Sequence, residues 1–255
     1  MPARIRIVLE GPNPPGPHRH ADGLRAVVLG AIQRANPELG TWLHDANQPK
    51  PIAIGPLQPF DGRDGMWAVE VSALADDLIE PLMAGLPSVG ASVRLGRTGY
   101  LVRDVGIVET RGFEEMAEAT NPQPVIRLRI ITPTAHHAAG AVRRSIVVPD
   151  PRLYIGSWLG RWNLFADAPY DLELLEAVAD SVVVSAFAGR TRAERLDGRR
   201  IFIGFVGSVE FRVLDCGRPI EPIAAAVWSL ARFAEFSGTG VETMRGMGQT
   251  RIAEE

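Results

Sequence analysis

The 255-residue sequence has a single cysteine, Cys216. That excludes an internal disulfide and any zinc site built on cysteine pairs. Lysine is equally scarce, with Lys50 standing alone against 26 arginines. No apolar run reaches the ~18–20 residues that a membrane helix needs. The opening Met1-Pro2-Ala3-Arg4-Ile5 has no apolar signal stretch. A general basic excess is also missing. The net charge is −3, with 11 basic and 15 acidic residues in 1–120 and 16 and 15 in 121–255. Any contact with nucleic acid must therefore come from local clusters. The five histidines, His18, His20, His44, His136 and His137, lack zinc-motif spacing, and no G-x-S-x-G elbow is present. These absences point to a cytoplasmic globular protein with no metal, no cofactor and no membrane partner. Its composition is ordinary, 46% hydrophobic and 22% charged.

Hydrophobic spacing then supplies the elements. Ile5, Ile7 and Leu9 alternate with Arg4 and Arg6, which predicts a half-buried strand. Leu24, Val27, Val28, Ala31 and Ile32 predict an amphipathic helix ended by Asn36-Pro37. A short helix follows over 37–44. Strands are expected at 52–54 and 67–71, then a helix from Leu74 to Leu86 with Ser72 as its N-cap. Strands near 91–95 and 100–108 close a β-α-β-β-α-β unit, the ferredoxin-like order. The acidic stretch 110–123, ending in Asn-Pro-Gln-Pro, reads as a linker.

Ile126-Arg127-Leu128-Arg129-Ile130 repeats the opening pattern and suggests an internal duplication. A short strand over 143–148 and a helix begun by Pro149-Asp150-Pro151 follow. Then come strands at 182–187 and 201–213 with a bulge at Gly207, a helix over 223–234 and a last strand at 250–252. The fold class is α+β, two tandem ferredoxin-like domains over 1–118 and 122–255. A single larger α+β domain is the alternative.

Three stretches carry chemistry. The run 236–249 has glycines at 238, 240, 246 and 248. Glycine lets backbone N–H groups come close to phosphate oxygens, although a helix C-cap and turn is the plainer reading. It is neither a Walker A loop nor a dinucleotide fingerprint. His44 and Lys50, six residues apart, offer a base and a cation for phosphate chemistry, or simply a solvated helix end. The arginine-rich run 189–200 reads as a basic hairpin between two strands, either a solvated loop or a finger against RNA backbone. Arg4, Arg6, Arg127 and Arg129 read equally as solvated strand faces or as the lining of a cleft between the two expected domains.

The glycine stretch, Phe236-Ser237-Gly238-Thr239-Gly240 with Met244-Arg245-Gly246-Met247-Gly248, resembles the C-terminal motif of the CRISPR-associated endoribonucleases that process repeat RNA. These belong to the repeat-associated RNA-binding (RAMP) superfamily. Asn36-Pro37-Glu38-Leu39-Gly40-Thr41-Trp42-Leu43-His44-Asp45 with Lys50-Pro51 resembles that family's catalytic segment. Thr132-Pro133-Thr134 and Pro149-Asp150-Pro151-Arg152-Leu153 are similar to two further segments, in the same order.

The resemblance implies metal-independent cleavage of precursor repeat RNA. His44 would be general base or acid and Lys50 the stabiliser of the transition state. His20 becomes a candidate proton donor, because Leu29 stands where some members carry a catalytic tyrosine. Gly238, Gly240, Thr243, Arg245, Gly246 and Gly248 become RNA-binding candidates, joined by Arg143, Arg144, Arg190 and Arg192. The expected partner is CRISPR repeat RNA, with other effector subunits as further partners and a monomer or homodimer as the assembly. A non-catalytic RNA-binding subunit is the alternative. A module for a small ligand or a protein partner is a third reading.

Overall fold

The computed structural model describes residues 1–14, 16, 18–45, 48–118, 122–138, 144–196 and 200–253. The chain forms two compact units. The first comprises Met1–Thr110 with Arg195–Ile201 and Met244–Gly246; the second comprises Arg111–Glu194, Phe202–Thr243 and Met247–Glu255.

The first unit runs β1 (Ala3–Glu10), α1 (Ala21–Ala35), α2 (Pro37–Asp45), β2 (Ile52–Ile54), β3 (Gln58–Pro59), β4 (Met66–Ala73), α3 (Ile79–Gly85), β5 (Ser92–Leu95) and β6 (Thr98–Thr110). Its antiparallel sheet has the order β2-β4-β1-β6-β5, with β3 added on β4. Without β3 and β5 this is the ferredoxin-like arrangement. Leu24, Val28, Ala31 and Ile32 of α1 are buried over Ile5, Ile7 and Leu9 of β1, as the two spacings require. Gly85 lets α3 approach α1, because a Cβ there would lie 1.9 Å from the Ala31 carbonyl oxygen.

Ser72 is not a helix cap. It lies in β4, opposite Arg4 of β1 and Ala53 of β2, and the helical backbone starts only at a 3₁₀ turn over Asp76–Leu78. A serine with apolar neighbours fits a strand as readily as a cap, so the sequence signal was ambiguous. Arg4 and Arg6 are neutralised within the sheet. Arg4 pairs with Glu109 and, at 3.7 Å, with Glu70, and Arg6 pairs with Glu70 at 2.8 Å.

The second unit holds α4 (Phe113–Ala117), β7 (Val125–Thr134), β8 (His136–His137), β9 (Ser145–Ile146), α5 (Pro151–Phe165), α6 (Glu173–Ser181), β10 (Val182–Leu196), β11 (Arg200–Val213), α7 (Ile220–Ser237) and β12 (Thr250–Ile252). Its four-stranded sheet has the order β10-β11-β7-β12, again ferredoxin-like, and β8-β9 is an added hairpin. Asp150 caps α5 by accepting from the Leu153 N–H at 3.1 Å, and Pro151 takes the first helical position. Trp158 and Trp162 are buried from that helix, and Phe233 of α7 meets Trp162 edge-on. The β7–β11 register slips between Phe205 and Gly207, which is the expected bulge.

One further expectation is corrected. Part of the supposed linker is helical: α4 buries Met116, and Arg232 of α7 donates to the Met116 carbonyl at 3.2 Å. Five helical residues are too few to show a period. The basic hairpin of 189–200 is strand over most of its described length, because β10 extends to Leu196 and its neighbour β11 begins at Arg200. Both strands outrun their apolar cores. Among the described residues no helix is long and apolar enough to cross a membrane.

Candidate functional site

His44 ends α2. Its imidazole is 84% exposed, and Nδ1 lies 3.0 Å from the Asp45 carboxylate. Lys50 reaches the same helix end. Its ammonium donates to the Leu43 carbonyl, and to the His44 carbonyl at 3.3 Å. These carbonyls have no helical partner and sit at the negative end of the helix dipole. Lys50 is therefore a C-terminal cap for the turn that bears His44, not a freely solvated side chain. Burial lowers its pKa, the Arg25 charge adds to that, and Asp45 opposes it. The effect of Arg25 places a second cation from α1 near Lys50. Sequence reading missed it because Arg25 looks like any polar-face residue of an amphipathic helix.

His20 is buried at the start of α1, makes no side-chain cap, and shares a 3.0 Å hydrogen bond between Nε2 and the Tyr100 hydroxyl. Burial lowers the pKa of His20 and raises that of Tyr100, so both are neutral at pH 7. Leu29 packs against the core of this unit. Arg245 lies in a 3₁₀ turn, Thr243–Arg245, and its Nε is 2.8 Å from Asp22 in the first turn of α1. Gly246 has φ +82, and a Cβ there would come within 2.9 Å of the His18 ring. His44, Lys50, His20, Arg245 and Gly246 thus all belong to the first unit.

Gly238, Gly240, Thr243 and Gly248 belong to the second unit. There the glycines serve close backbone packing. The Gly248 position, at φ +73, would set a Cβ 2.0 Å from the Thr239 carbonyl oxygen, and Gly240, at φ +75, would set one 2.3 Å from that of Ala135. Their N–H groups are already used. Gly238 donates to Ala234 at 2.9 Å, Gly240 to the Ser157 hydroxyl at 2.9 Å, and Gly248 to Pro133 at 3.1 Å. Thr239 and Gln249 donate to Gly248 and to the Thr132 hydroxyl. The phosphate-cradle expectation for these three glycines meets donors that protein acceptors already hold.

A half-buried cation organises this loop. Arg161 of α5 donates to the Gly238 carbonyl at 3.2 Å and to the Gly240 carbonyl at 2.7 Å, at the C-terminal end of α7. Burial lowers its pKa to about 10, so it stays charged at neutral pH. Trp158 Nε1 donates to the Thr239 hydroxyl at 2.8 Å, which meets Thr250 at 2.6 Å. In the sequence Arg161 sits among Trp158, Leu159 and Trp162 and reads as the solvated side of the helix. Only its three-dimensional neighbours show its guanidinium turned onto the loop carbonyls.

Beside Gly240, His136 stacks at 5.1 Å on Tyr154. Burial, then the Arg161 charge, lowers its pKa to about 4, with Asp150 opposing. The fold therefore keeps His136 neutral, and on acidification the unfolded chain takes up a proton first. Stability is full above about pH 6.5 and falls as the pH drops toward 4, by up to about 3 kcal/mol from this group. Urea midpoints taken from pH 7.5 to 4.5 should fall for the native protein and fall distinctly less for His136→Phe. Parallel curves would show that His136 does not carry the dependence.

Of the basic candidates, Arg190 and Arg192 lie on β10, with Arg192 Nε 2.9 Å from Glu194. Arg144 is exposed just before β9, and its carbonyl accepts from the Ala138 N–H at 2.8 Å. Arg143 lies outside the described residues.

Two ferredoxin-like domains in tandem, closed by a glycine-locked C-terminal loop, define a protein of the RAMP-like fold. The family model described as CRISPR-associated endoribonuclease Cas6 matches residues 128–250. Two Mycobacterium tuberculosis proteins of the same description are 32% identical over 127 residues, 49% of this chain and 38% of each relative. The match thus spans well under half of those relatives. A Thermus thermophilus Cas6 solved as a product complex is similar over its whole length, with a TM-score of 0.85 and 28% identity across 99% of this chain and 100% of that one. A second Cas6 product complex gives 0.81 and 29% across 99% of each. The chain is thus similar to Cas6 endoribonucleases in sequence over residues 128–250 and in fold over its whole length.

Proposed function

We propose that the chain is a metal-independent endoribonuclease that cuts CRISPR repeat RNA in the cytoplasm. The observation that carries this reading is the end of α2. With the Asp45 carboxylate accepting from Nδ1–H, Nε2 of His44 is the basic nitrogen. Nε2 takes the proton of a ribose 2′-hydroxyl, the 2′-oxygen attacks the adjacent phosphorus, and the bond to the 5′-oxygen breaks. The products are a 2′,3′-cyclic phosphate and a 5′-hydroxyl. Lys50 and Arg25 offset the charge that gathers on the phosphate, and the leaving oxygen takes its proton from solvent or from Lys50. His20, held under Tyr100, is given a supporting place and not a proton-donor role.

One observation favours the non-catalytic alternative. Leu29 carries no proton donor, and the His20 imidazole is buried and bonded to the Tyr100 hydroxyl. Labelled repeat RNA incubated with the protein in EDTA decides between the two. The expected product carries a cyclic phosphate upstream and a 5′-hydroxyl downstream. Tight binding with no product supports the non-catalytic subunit, and cleavage that needs added Mg²⁺ overturns the mechanism.

A further inference from the structure

The two sheets differ in charge. The strands of the first sheet carry four arginines and four acids. Within the second unit, the strands of the second sheet carry six arginines against Glu194 and Glu210, in a chain of net charge −3. Several of the six have carboxylates at hand. Arg127 is 2.9 Å and Arg212 3.5 Å from Glu210, and Arg192 is 2.9 Å from Glu194. Arg129 is different. Its cross-strand neighbours are Ser208 on β11 and Arg251 on β12, so no acid stands opposite it on either ladder. Its side chain is exposed.

Arg129 borders a groove of about 410 Å³, lined also by Ile131, Ala188, Gly207 and Ser208. The groove lies at the β-bulge. Gly207, at φ +148, runs so close to β10 that a Cβ would lie 2.1 Å from the Ala188 carbonyl oxygen. The Ser208 hydroxyl has a long 3.5 Å bond to that carbonyl, which it can exchange for a better acceptor. The site therefore offers a guanidinium fork, a hydroxyl and two apolar side chains in a space of small-ligand size. A polyanion strand is the occupant whose charge matches the sheet around it.

We propose that this groove binds one nucleotide unit of single-stranded RNA outside the scissile site. Arg129 and Ser208 hold the phosphate oxygens, and Ile131 and Ala188 lie beneath the ribose. The proposal rests on the RNA-processing reading above and adds to it a subsite for unpaired RNA. Shape and phosphate contacts make it indifferent to sequence.

The probe is fluorescently labelled decauridylate, which forms no stem, titrated by anisotropy at several salt concentrations. The expected result is salt-dependent binding by the native protein. Arg129→Ala should weaken it about tenfold and lower the log–log salt slope by about 0.7, the increment that one neutralised phosphate contributes on a single strand. Arg129→Lys should keep the slope. Circular dichroism checks that the variants fold. Unchanged affinity and slope in Arg129→Ala, or no binding by the native protein, would overturn the subsite. If repeat RNA is still cleaved in EDTA under either outcome, the subsite falls alone. If repeat RNA is neither bound nor cut, both readings fall.

Discussion

Alanine in place of His44 is expected to slow single-turnover cleavage of repeat RNA by about 10²–10⁴-fold, the range for loss of one general acid–base group. Binding should hardly change. The imidazole is 84% exposed, and its one described side-chain partner is Asp45, so little packing goes with it. Stability should stay within about 0.5 kcal/mol of the native protein. The helix end does not depend on the ring, because Lys50 bonds the backbone carbonyls of Leu43 and His44 and not the imidazole. Rate, affinity and unfolding midpoint measured on one preparation separate chemistry from folding. A rate within a few-fold of native would remove His44 from the reaction and leave the fold untouched.

Gly248→Ala is expected to cost the most stability of any conservative change in the loop, about 3–5 kcal/mol. Two costs add. The residue sits at φ +73, where a side chain is strained, and its new Cβ would lie 2.0 Å from the Thr239 carbonyl oxygen. That oxygen cannot simply swing aside, since the Thr239 N–H is bonded to the Gly248 carbonyl at 2.8 Å and the Thr239 hydroxyl to Trp158 and Thr250. Gly217→Ala is the internal control. It has φ +81 in the same unit but nothing within 4 Å of the added carbon, so it should show the backbone strain alone, about 1–2 kcal/mol. Thermal unfolding of the two variants should differ by several degrees. Equal midpoints would mean that the loop is not closed as tightly as its hydrogen bonds require.

The same loop shows what a sequence can and cannot disclose. Strand alternation was legible at Arg4–Leu9 and Ile126–Ile130 because each strand has one buried face, and burial imposes the period directly. The helix start at Pro149-Asp150-Pro151 and the Gly207 bulge were legible because each is marked by residue types local in sequence. The use of the loop's N–H groups was not. Whether Gly240 donates to a ligand or to Ser157, 83 residues away, depends on packing that local spacing does not encode. Arg161 was hidden for a related reason: a cation inside a helix of tryptophans is stabilised by carbonyls that arrive from another part of the chain. Lys50 shows the reverse. The residue was singled out for its charge, and the structure gives that charge a local task at the end of α2 as well.

The basic sheet has one more consequence. β10 is fifteen residues long, mostly exposed, and occupies the edge of its sheet. A long edge carrying exposed apolar side chains such as Val183 and Phe187 is the kind of surface on which a second chain adds as a further strand and starts a precipitate. Like charges spaced along such an edge repel an identical copy. Arg190, Arg192 and Arg195 supply those charges, and Glu194 removes only part of them. The arginines of β10 therefore guard the protein's solubility. Substitutions that neutralise them should be judged by aggregation as well as by RNA affinity.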